Sequence, residues 1–164
     1  MILGRGDIAS VLHDRDGYIF FASGVSNSQE DREKEYDREK TLLLKQDQEM
    51  HLVYFSSLSI FYADGRYQQH KMEMEALVRE NFKTYTIVRI GNISWGNNPH
   101  TIINYLRNKI QKRDRVRIDD VYRYIVDQEE FMHWVEMIPD WSCEINIPGR
   151  RMKVSQIVEE YGNT

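Results

Sequence analysis

A tyrosine and a lysine four residues apart, Tyr67 and Lys71, form the clearest chemical pattern in the sequence. On a helix this spacing places both side chains on one face. A lysine ammonium beside a phenol favours the phenolate, and so lowers a phenol pKa that is normally about 10. Such a phenol could act as an acid or base at neutral pH. The spacing is also common by chance, and two unrelated surface residues would explain it.

Two serines precede this predicted helix and support the idea of a site. Ser56 and Ser57 follow the apolar segment 51–55, whose continuous hydrophobic character predicts a buried strand. A serine hydroxyl at a strand end could polarise a substrate carbonyl or hydroxyl group. We therefore interpret Ser57, Tyr67 and Lys71 as one constellation between a strand and the helix that follows it.

A glycine turn lies near the start of the chain. Gly4, Gly6 and Ala9 form a G-x-G-x-x-A pattern between the short apolar strand 1–3 and a predicted helix that ends near residue 13. In dinucleotide-binding folds such glycines let the backbone approach a pyrophosphate, whose charge faces the helix N-terminus. A plain structural turn explains the pattern equally well, and the negative charge of Asp7 would disfavour a phosphate beside it.

A third polar position is Asn92, which follows the β-branched strand 84–90 and lies in the loop 91–99. Its amide could bond a ligand hydroxyl, although an asparagine that satisfies turn backbone is the more common case. The histidines do not have the spacing of metal ligands, so no metal site is predicted. They are His13, His51, His70, His100 and His133.

Strands and helices alternate along the chain, which predicts a parallel α/β sheet with helices on both faces. The predicted strands are 1–3, 18–22, 51–55, 84–90 and 141–147. The predicted helices are 29–46, 67–80, 101–110, 120–138 and 152–161. The first part of 120–138 could instead be a short strand or a turn. Residues 113–119 alternate between charged and apolar side chains. We interpret 30–40 as a solvated helical face that carries i,i+4 ion pairs. Ligands in such sheets bind beyond the carboxyl ends of the strands, here loops 4–9, 23–28, 56–66 and 91–99.

Length and composition predict one domain over residues 1–164. The formal net charge of −4 gives no reason to expect binding to nucleic acid or to an anionic membrane. No apolar run approaches the roughly 20 residues of a membrane helix, and no signal peptide is predicted. The single cysteine, Cys143, excludes an internal disulfide, so we expect a reducing, cytoplasmic setting and an inert thiol.

The order of these segments resembles the NAD-dependent epimerase/dehydratase family, the extended short-chain dehydrogenases. Similar segments run almost from end to end, at 2–9, 18–27, 52–61, 66–71, 88–96, 123–127 and 143–149. The segment 52–61, L-V-Y-F-S-S-L-S-I-F, resembles the family strand that carries the active serine, and places that serine at Ser57 with Ser56 as the fallback. The resemblance implies a Rossmann-like three-layer sandwich, here with a reduced parallel sheet.

The resemblance also implies roles for the site residues. Tyr67 would be the acid and base, Lys71 would activate it and hold the nicotinamide ribose, and Ser57 would orient the substrate. The implied substrate is a nucleotide sugar and the implied cofactor is NAD or NADP. The implied cofactor contacts are Gly4, Gly6, Ile8, Ala9, Ser23, Gly24, Tyr67 and Lys71, and the implied substrate contacts are Ser57, Asn92 and Ser26.

The departures from the family are as informative as the matches. Between Ala9 and Tyr18 the family has two more strands and their helices, so the adenosine half of the cofactor site is expected to be missing. Asp37 stands where the family has a helix asparagine. The leading hypothesis is an NAD(P)-dependent oxidoreductase or epimerase. The alternative is a degenerate, non-catalytic member that serves as a binding or assembly subunit. Either form could be a homodimer through helices near 29–46 and 67–80.

Overall fold

A parallel sheet lies at the centre of the computed structural model, which describes residues 1–114, 119 and 121–162. Its five strands are β1 (Ile2–Leu3), β2 (Tyr18–Phe21), β3 (His51–Ser57), β4 (Tyr85–Ile90) and β7 (Cys143–Ile147). A second sheet has three strands, β5 (Asn92–Ile93), β6 (Tyr122–Val126) and β8 (Arg150–Lys153). The helices are α1 (Glu33–Leu44), α2 (Arg66–Asn81), α3 (Ile102–Gln111), α4 (Gln128–Glu136) and α5 (Val154–Tyr161).

The strand order of the main sheet is β1-β2-β3-β4-β7, and every neighbouring pair is parallel. The predicted α/β class and the reduced Rossmann-like sheet are therefore confirmed. Within the described residues β1 lies at the sheet edge, so the sheet stops at the strand beyond which the family's second and third strands would lie. All five carboxyl ends meet at one edge, where ligands bind in this architecture.

The pleat of β3 divides the core between the two faces of the sheet. Leu52 and Tyr54 pack with α1 and α2 in one apolar cluster, whereas Val53 and Phe55 pack with α4 in another. The strand is buried on both sides because helices cover both faces, as its unbroken apolar run predicts. This alternation decides which face the serines at its end will join.

Several predicted elements differ from the observed ones. The glycine turn is followed by one 3-10 turn, Ala9–Val11, and not by a helix to residue 13. Leu12 is extended there because the chain must reach β2 within a few residues. Helix α1 starts at Glu33 rather than at 29, the segment 120–138 is divided into β6 and α4, and β8 precedes α5. The alternating segment 113–119 lies largely outside the described residues.

The second sheet and the helices α3 and α5 form a smaller core of their own, which includes Leu106, Ile125 and Ile157. It closes the far side of the loop that follows β4, because β5 lies immediately after that strand and pairs with β6. Among the described residues no helix is long and apolar enough to span a bilayer.

Candidate functional site

A cleft of about 1200 Å³ opens at the carboxyl ends of β2, β3 and β4. It brings together most of the residues that the sequence nominated. Those that line it are Gly6, Ile8, Ser23, Gly24, Ser26, Ser57, Tyr67, Lys71 and Asn92. Gly4 and Ala9 are not among the lining residues. The placement of the nominated residues at one cleft is thus observed, while their roles stay predictions.

The two serines at the end of β3 have different surroundings. Ser56 is buried on the α2 side, and its hydroxyl donates to Glu75 Oε1 at 2.7 Å. Ser57 is half-buried on the cleft wall, and its Oγ lies 2.9 Å from the hydroxyl of Ser59, whose backbone N–H it accepts at 3.1 Å. Of the two, Ser57 is the one whose hydroxyl is free of a carboxylate partner and able to meet a ligand.

Lys71 is buried and already has partners within the protein. Its Nζ lies 3.2 Å from Glu39 Oε1 and 3.1 Å from the Tyr54 hydroxyl oxygen, and only 3% of its side chain is exposed. It also lies 5.6 Å from the centroid of the Tyr67 ring. The i,i+4 spacing therefore does bring Tyr67 and Lys71 to one face of α2, as predicted, but with the ammonium bound to Glu39.

Glu39 is the centre of this buried cluster, and the sequence interpretation missed it. Its carboxylate accepts the backbone N–H of Val25 at 2.7 Å and the Tyr54 hydroxyl at 2.7 Å, and its Oε2 lies 2.9 Å from His70 Nε2. Together with Lys71, these groups come from α1, the loop after β2, β3 and α2. One carboxylate therefore ties four segments together beneath the cleft.

Electrostatics keeps both members of the pair charged. Burial would raise the pKa of Glu39, but the Lys71 ammonium and the hydrogen bonds from His70 and Val25 outweigh burial and hold that pKa well below its usual value. Burial would likewise lower the pKa of Lys71, but the Glu39 carboxylate raises it. Burial and the adjacent carboxylate raise the pKa of Tyr54 well above its usual value, so its hydroxyl keeps its proton.

The position of Glu39 could have been recognised from spacing. The buried residues of α1 are Tyr36, Glu39 and Leu43, which follow the i, i+3, i+7 pattern of a core-facing stripe. A carboxylate in such a stripe must be paired, because an isolated buried charge is costly. The solvated interpretation of 30–40 is therefore wrong at Tyr36 and Glu39. Asp37, the residue aligned with the family's asparagine, is exposed.

Gly24 has a packing reason to be glycine. A Cβ at this position would lie 2.8 Å from Glu39 Oε1 and 2.9 Å from Lys71 Nζ. The absence of a side chain lets the loop after β2 pass close over the ion pair. This explains Gly24 without a ligand, although the residue also lines the cleft.

The glycine turn is held in place by contacts within the chain. Gly4 has a φ of +130°, and a Cβ there would collide with the carbonyl of Ala22. Gly6, in contrast, has no atom within 4 Å of where its Cβ would lie, so it faces open space. Gly4 thus allows the turn to pack closely against the segment after β2. Gly6 leaves open space at the cleft.

Asp7 connects the turn to the loop 91–99. Its carboxylate accepts the backbone N–H groups of Asn97 at 3.1 Å and Asn98 at 2.9 Å. Its carbonyl accepts the indole N–H of Trp95 at 3.1 Å, and Gly96 has a φ of +88° where a Cβ would meet the Asp7 side chain. The carboxylate that would disfavour a phosphate is therefore directed away from the turn, toward amides on the other side of the cleft.

The remaining nominated residues lie on the same walls. Asn92 lies on β5 and not in the predicted loop, because it pairs with β6, and its side chain donates to the carbonyl of Tyr124 at 3.1 Å. Ser26 Oγ accepts the amide of Asn98 at 3.2 Å, and the carbonyl of Ser23 accepts the guanidinium of Arg38 at 3.0 Å. Asn92 therefore bonds a backbone carbonyl, which was the alternative to a ligand contact. It also lines the cleft.

Many solved structures share this architecture, including the following three. The Bordetella bronchiseptica enzyme WbmG, solved with NAD and UDP, has a TM-score of 0.70 and 10% identity over 89% of this chain and 56% of its own. The UDP-glucose 4-epimerase of Thermotoga maritima, solved with UDP-glucose, has a TM-score of 0.65 and 16% identity over 90% and 62%. This chain has the fold of UDP-glucose 4-epimerase. The capsular polysaccharide assembling protein CapF of Staphylococcus aureus has a TM-score of 0.60 and 17% identity over 89% and 44%.

The resemblance inferred from the motifs is thereby confirmed as a likeness of fold. The chain spans less than two thirds of the length of these structures. No protein-family model matches the sequence, and no curated protein matches it.

The described residues line the two sides of the cleft unequally. On the side of the cleft formed by β3 and α2, Ser57, Tyr67 and Lys71 line the wall, and the open space at Gly6 leaves room for a ligand. On the other side the described sheet ends at β1, and a three-residue 3-10 turn stands where the fold usually starts a helix. No described strand lies beyond β1 to support an adenosine.

Proposed function

We propose that the cleft binds a nucleotide sugar, with Ser57 and Tyr67 against the sugar and no complete dinucleotide beside it. The observation that carries this proposal is the convergence of Ser57, Tyr67 and Lys71 on the wall of one cleft, at the carboxyl end of β3 and the start of α2. The neighbouring structures solved with UDP and UDP-glucose support the ligand class. The chain is then a relative of nucleotide-sugar epimerases that has kept the substrate side of the site.

The charge of the cleft suits a diphosphate. Arg5 and Arg123 both line it, in a chain whose net charge is −4. A guanidinium binds phosphate oxygens through paired N–H donors, which gives orientation as well as affinity. Arg5 is in the glycine turn and Arg123 is on β6, and the carboxylates Asp7, Glu30 and Asp64 line the same cleft.

Calorimetric titration tests the ligand class. UDP-glucose, UDP, NAD and NADP would each be titrated into the protein. We expect UDP-glucose to bind with a dissociation constant below about 1 mM and NAD or NADP to bind at least about tenfold more weakly. Equal or tighter binding of NAD would overturn the proposal in favour of a complete cofactor site.

Variants of the wall residues test the pose. Ser57→Ala and Tyr67→Phe each remove one hydroxyl, and each should weaken UDP-glucose binding about three- to tenfold. Tyr105→Phe is the matched control, because Tyr105 is an exposed tyrosine on α3 that does not line the cleft. Its binding should equal that of the unaltered protein. If neither hydroxyl matters, the sugar does not lie against this wall.

A second candidate is catalytic turnover with a nicotinamide cofactor. The neighbours solved with NAD and the Tyr67–Lys71 spacing favour it. It predicts that Tyr67→Phe abolishes the biological activity, whereas a binding or assembly subunit keeps its phenotype in that variant. Incubation with UDP-glucose and NAD, followed by separation of the sugar nucleotides, would detect an epimerised or oxidised product directly.

Self-association through α1 and α2 stays a prediction. Within one chain the exposed sides of these helices are joined by ion pairs, Lys40 with Glu73 at 2.6 Å and Arg66 with Glu33 at 2.7 Å. Met72 is a large apolar side chain exposed on the same pair of helices. Light scattering of the purified protein gives its mass, and Met72→Glu should lower that mass to one chain if the helices pair between copies.

A further inference from the structure

The ammonium of Lys71 is committed to the protein before any ligand arrives. Two of its hydrogen-bond partners, Glu39 Oε1 at 3.2 Å and the Tyr54 hydroxyl oxygen at 3.1 Å, lie below the cleft wall. An ammonium has three donors, so at most one of them remains for a ligand. The exposed fraction of the side chain, 3%, leaves little of it open to the cleft.

The negative charge of Glu39 acts against the positive charge of Lys71 at every point in the cleft. Lys71 Nζ lies 5.6 Å from the centre of the Tyr67 ring, close enough for an unpaired ammonium to favour a phenolate. A carboxylate about one hydrogen bond from that ammonium turns the single charge into a dipole, whose effect falls off faster with distance than that of a charge. Lys71 is therefore a much weaker activator than the spacing of the motif suggests.

We propose that Glu39 is a positioning residue that compensates the charge of Lys71, so that Tyr67 meets the ligand as a hydrogen-bond donor and not as a base. The ion pair itself stands independently of any ligand, and only the role of Tyr67 toward a sugar rests on the proposed function.

Other ionisable groups also lie around the pair. They come from each packed element, Tyr36 on α1, Tyr54 on β3, Tyr62 on the segment after β3, and His70 and Glu75 on α2. Glu75 is itself held by the guanidinium of Arg89, with oxygens at 2.9 and 2.6 Å, so its charge is compensated separately. Glu39 is thus the carboxylate that faces Lys71 directly.

Nuclear magnetic resonance of ring-labelled tyrosine tests the inference without a ligand. The Tyr67 signal is assigned from its loss in Tyr67→Phe, and its phenolate fraction is compared at about pH 9 in three proteins. We expect Glu39→Gln to show a phenolate fraction several-fold above that of the unaltered protein. Glu39→Gln/Lys71→Met should return it to the unaltered level. Glu33→Gln, an exposed glutamate on the same helix, is the matched control and should change nothing.

Each outcome decides the question. A folded Glu39→Gln in which the Tyr67 signal is unchanged would overturn the inference, as would a rise confined to Tyr54. If Glu39→Gln does not fold, amine methylation of the unaltered protein decides: the inference requires Lys71 to react at least about tenfold more slowly than exposed lysines such as Lys83, and equal rates overturn it. Failure to bind UDP-glucose would remove the proposed function and leave these readouts intact.

Discussion

The two sides of the cleft differ in how firmly the chain holds them. On one side lies the β3–α2 corner, which we define as residues 51–71 together with Glu39. Its buried side-chain polar atoms have partners except for one ring nitrogen each of His51 and His70. On the other lies the amino-terminal edge, residues 1–17, where Leu12 is the one buried residue. The corner holds Ser57 and Tyr67, which would face the sugar under the proposed function, and the edge holds the glycine turn.

This difference indicates which side of the cleft the fold depends on more. At the corner, removing any group of the Glu39 cluster leaves a buried charge or polar atom without its partner. The same residues therefore stabilise the fold and line or support the cleft. At the edge, the turn is joined to the molecule by Gly4 and by the contacts of Asp7. We therefore expect changes at the corner to lower the stability of the fold more than changes at the edge.

The largest expected effect is therefore at Lys71. Lys71→Met leaves the Glu39 carboxylate buried beside Tyr54 and His70, and breaking a buried pair in this way lowers the free energy of unfolding by about 3–5 kcal/mol. Urea denaturation measures it. Glu39→Gln/Lys71→Met removes both charges and should be more stable than either single variant. Lys83→Met, whose ion pair with Glu49 is exposed, should have almost no effect. If Lys71→Met were as stable as Lys83→Met, the buried ion pair would contribute no more to stability than the exposed one.

Acid should weaken the corner through the same carboxylate. The pKa of Glu39 in the folded protein is below its unfolded value of about 4.5, so its contribution is present above that pH and is lost as pH falls. The difference in unfolding free energy between the unaltered protein and Glu39→Gln should thus narrow from about pH 7 to about pH 3. Exposed carboxylates are common to both proteins and cancel. A difference that grows in acid would show that Glu39 is not ionised in the folded state.

Two glycines compare the two sides directly. Gly24→Ala places a methyl group 2.8 and 2.9 Å from the charged atoms of the Glu39–Lys71 pair, and such overpacking is expected to lower stability by about 1–3 kcal/mol. Gly6→Ala adds a methyl group in open space at the turn and should change stability by less than about 0.5 kcal/mol. Thermal unfolding of both variants measures the difference. Equal destabilisation would mean that the edge is as tightly determined as the corner.

Sequence reasoning predicted the corner better than the edge for a physical reason. The continuous apolar run of β3, buried on both faces, and the Tyr67–Lys71 spacing on α2 are signals that tertiary packing reinforces. The helix predicted after the glycine turn is wrong because the chain has only a few residues in which to reach β2, so it forms one 3-10 turn. The length of the connection between β1 and β2 limits this segment to a 3-10 turn, and the periodicity of the sequence gives no information about that length.

The sequence predicted which residues line the candidate site, but it did not predict that Glu39 pairs with Lys71. The position of Ser57 followed from the end of β3, and the structure separates it from Ser56 because successive residues face opposite sides of the sheet. Glu39 was missed because it lies in a run of charged residues, where ion pairs with solvent-exposed partners are the usual case. Glu39 lies 32 positions before Lys71, so their ion pair is a long-range contact that local spacing cannot show.

A smaller effect than at Lys71 or Gly24 is expected at Asp7, and it tests whether the edge is blocked or simply incomplete. Asp7→Ala leaves the N–H groups of Asn97 and Asn98 to water, which should lower stability by about 1 kcal/mol, as for the loss of a helix cap. It also removes the negative charge near the turn. If that charge alone kept a pyrophosphate away, NAD would bind the variant measurably better in calorimetry. We expect no gain, because the described sheet still ends at β1 and offers an adenosine no wall. A clear gain would mean that the edge is a complete site closed by one carboxylate.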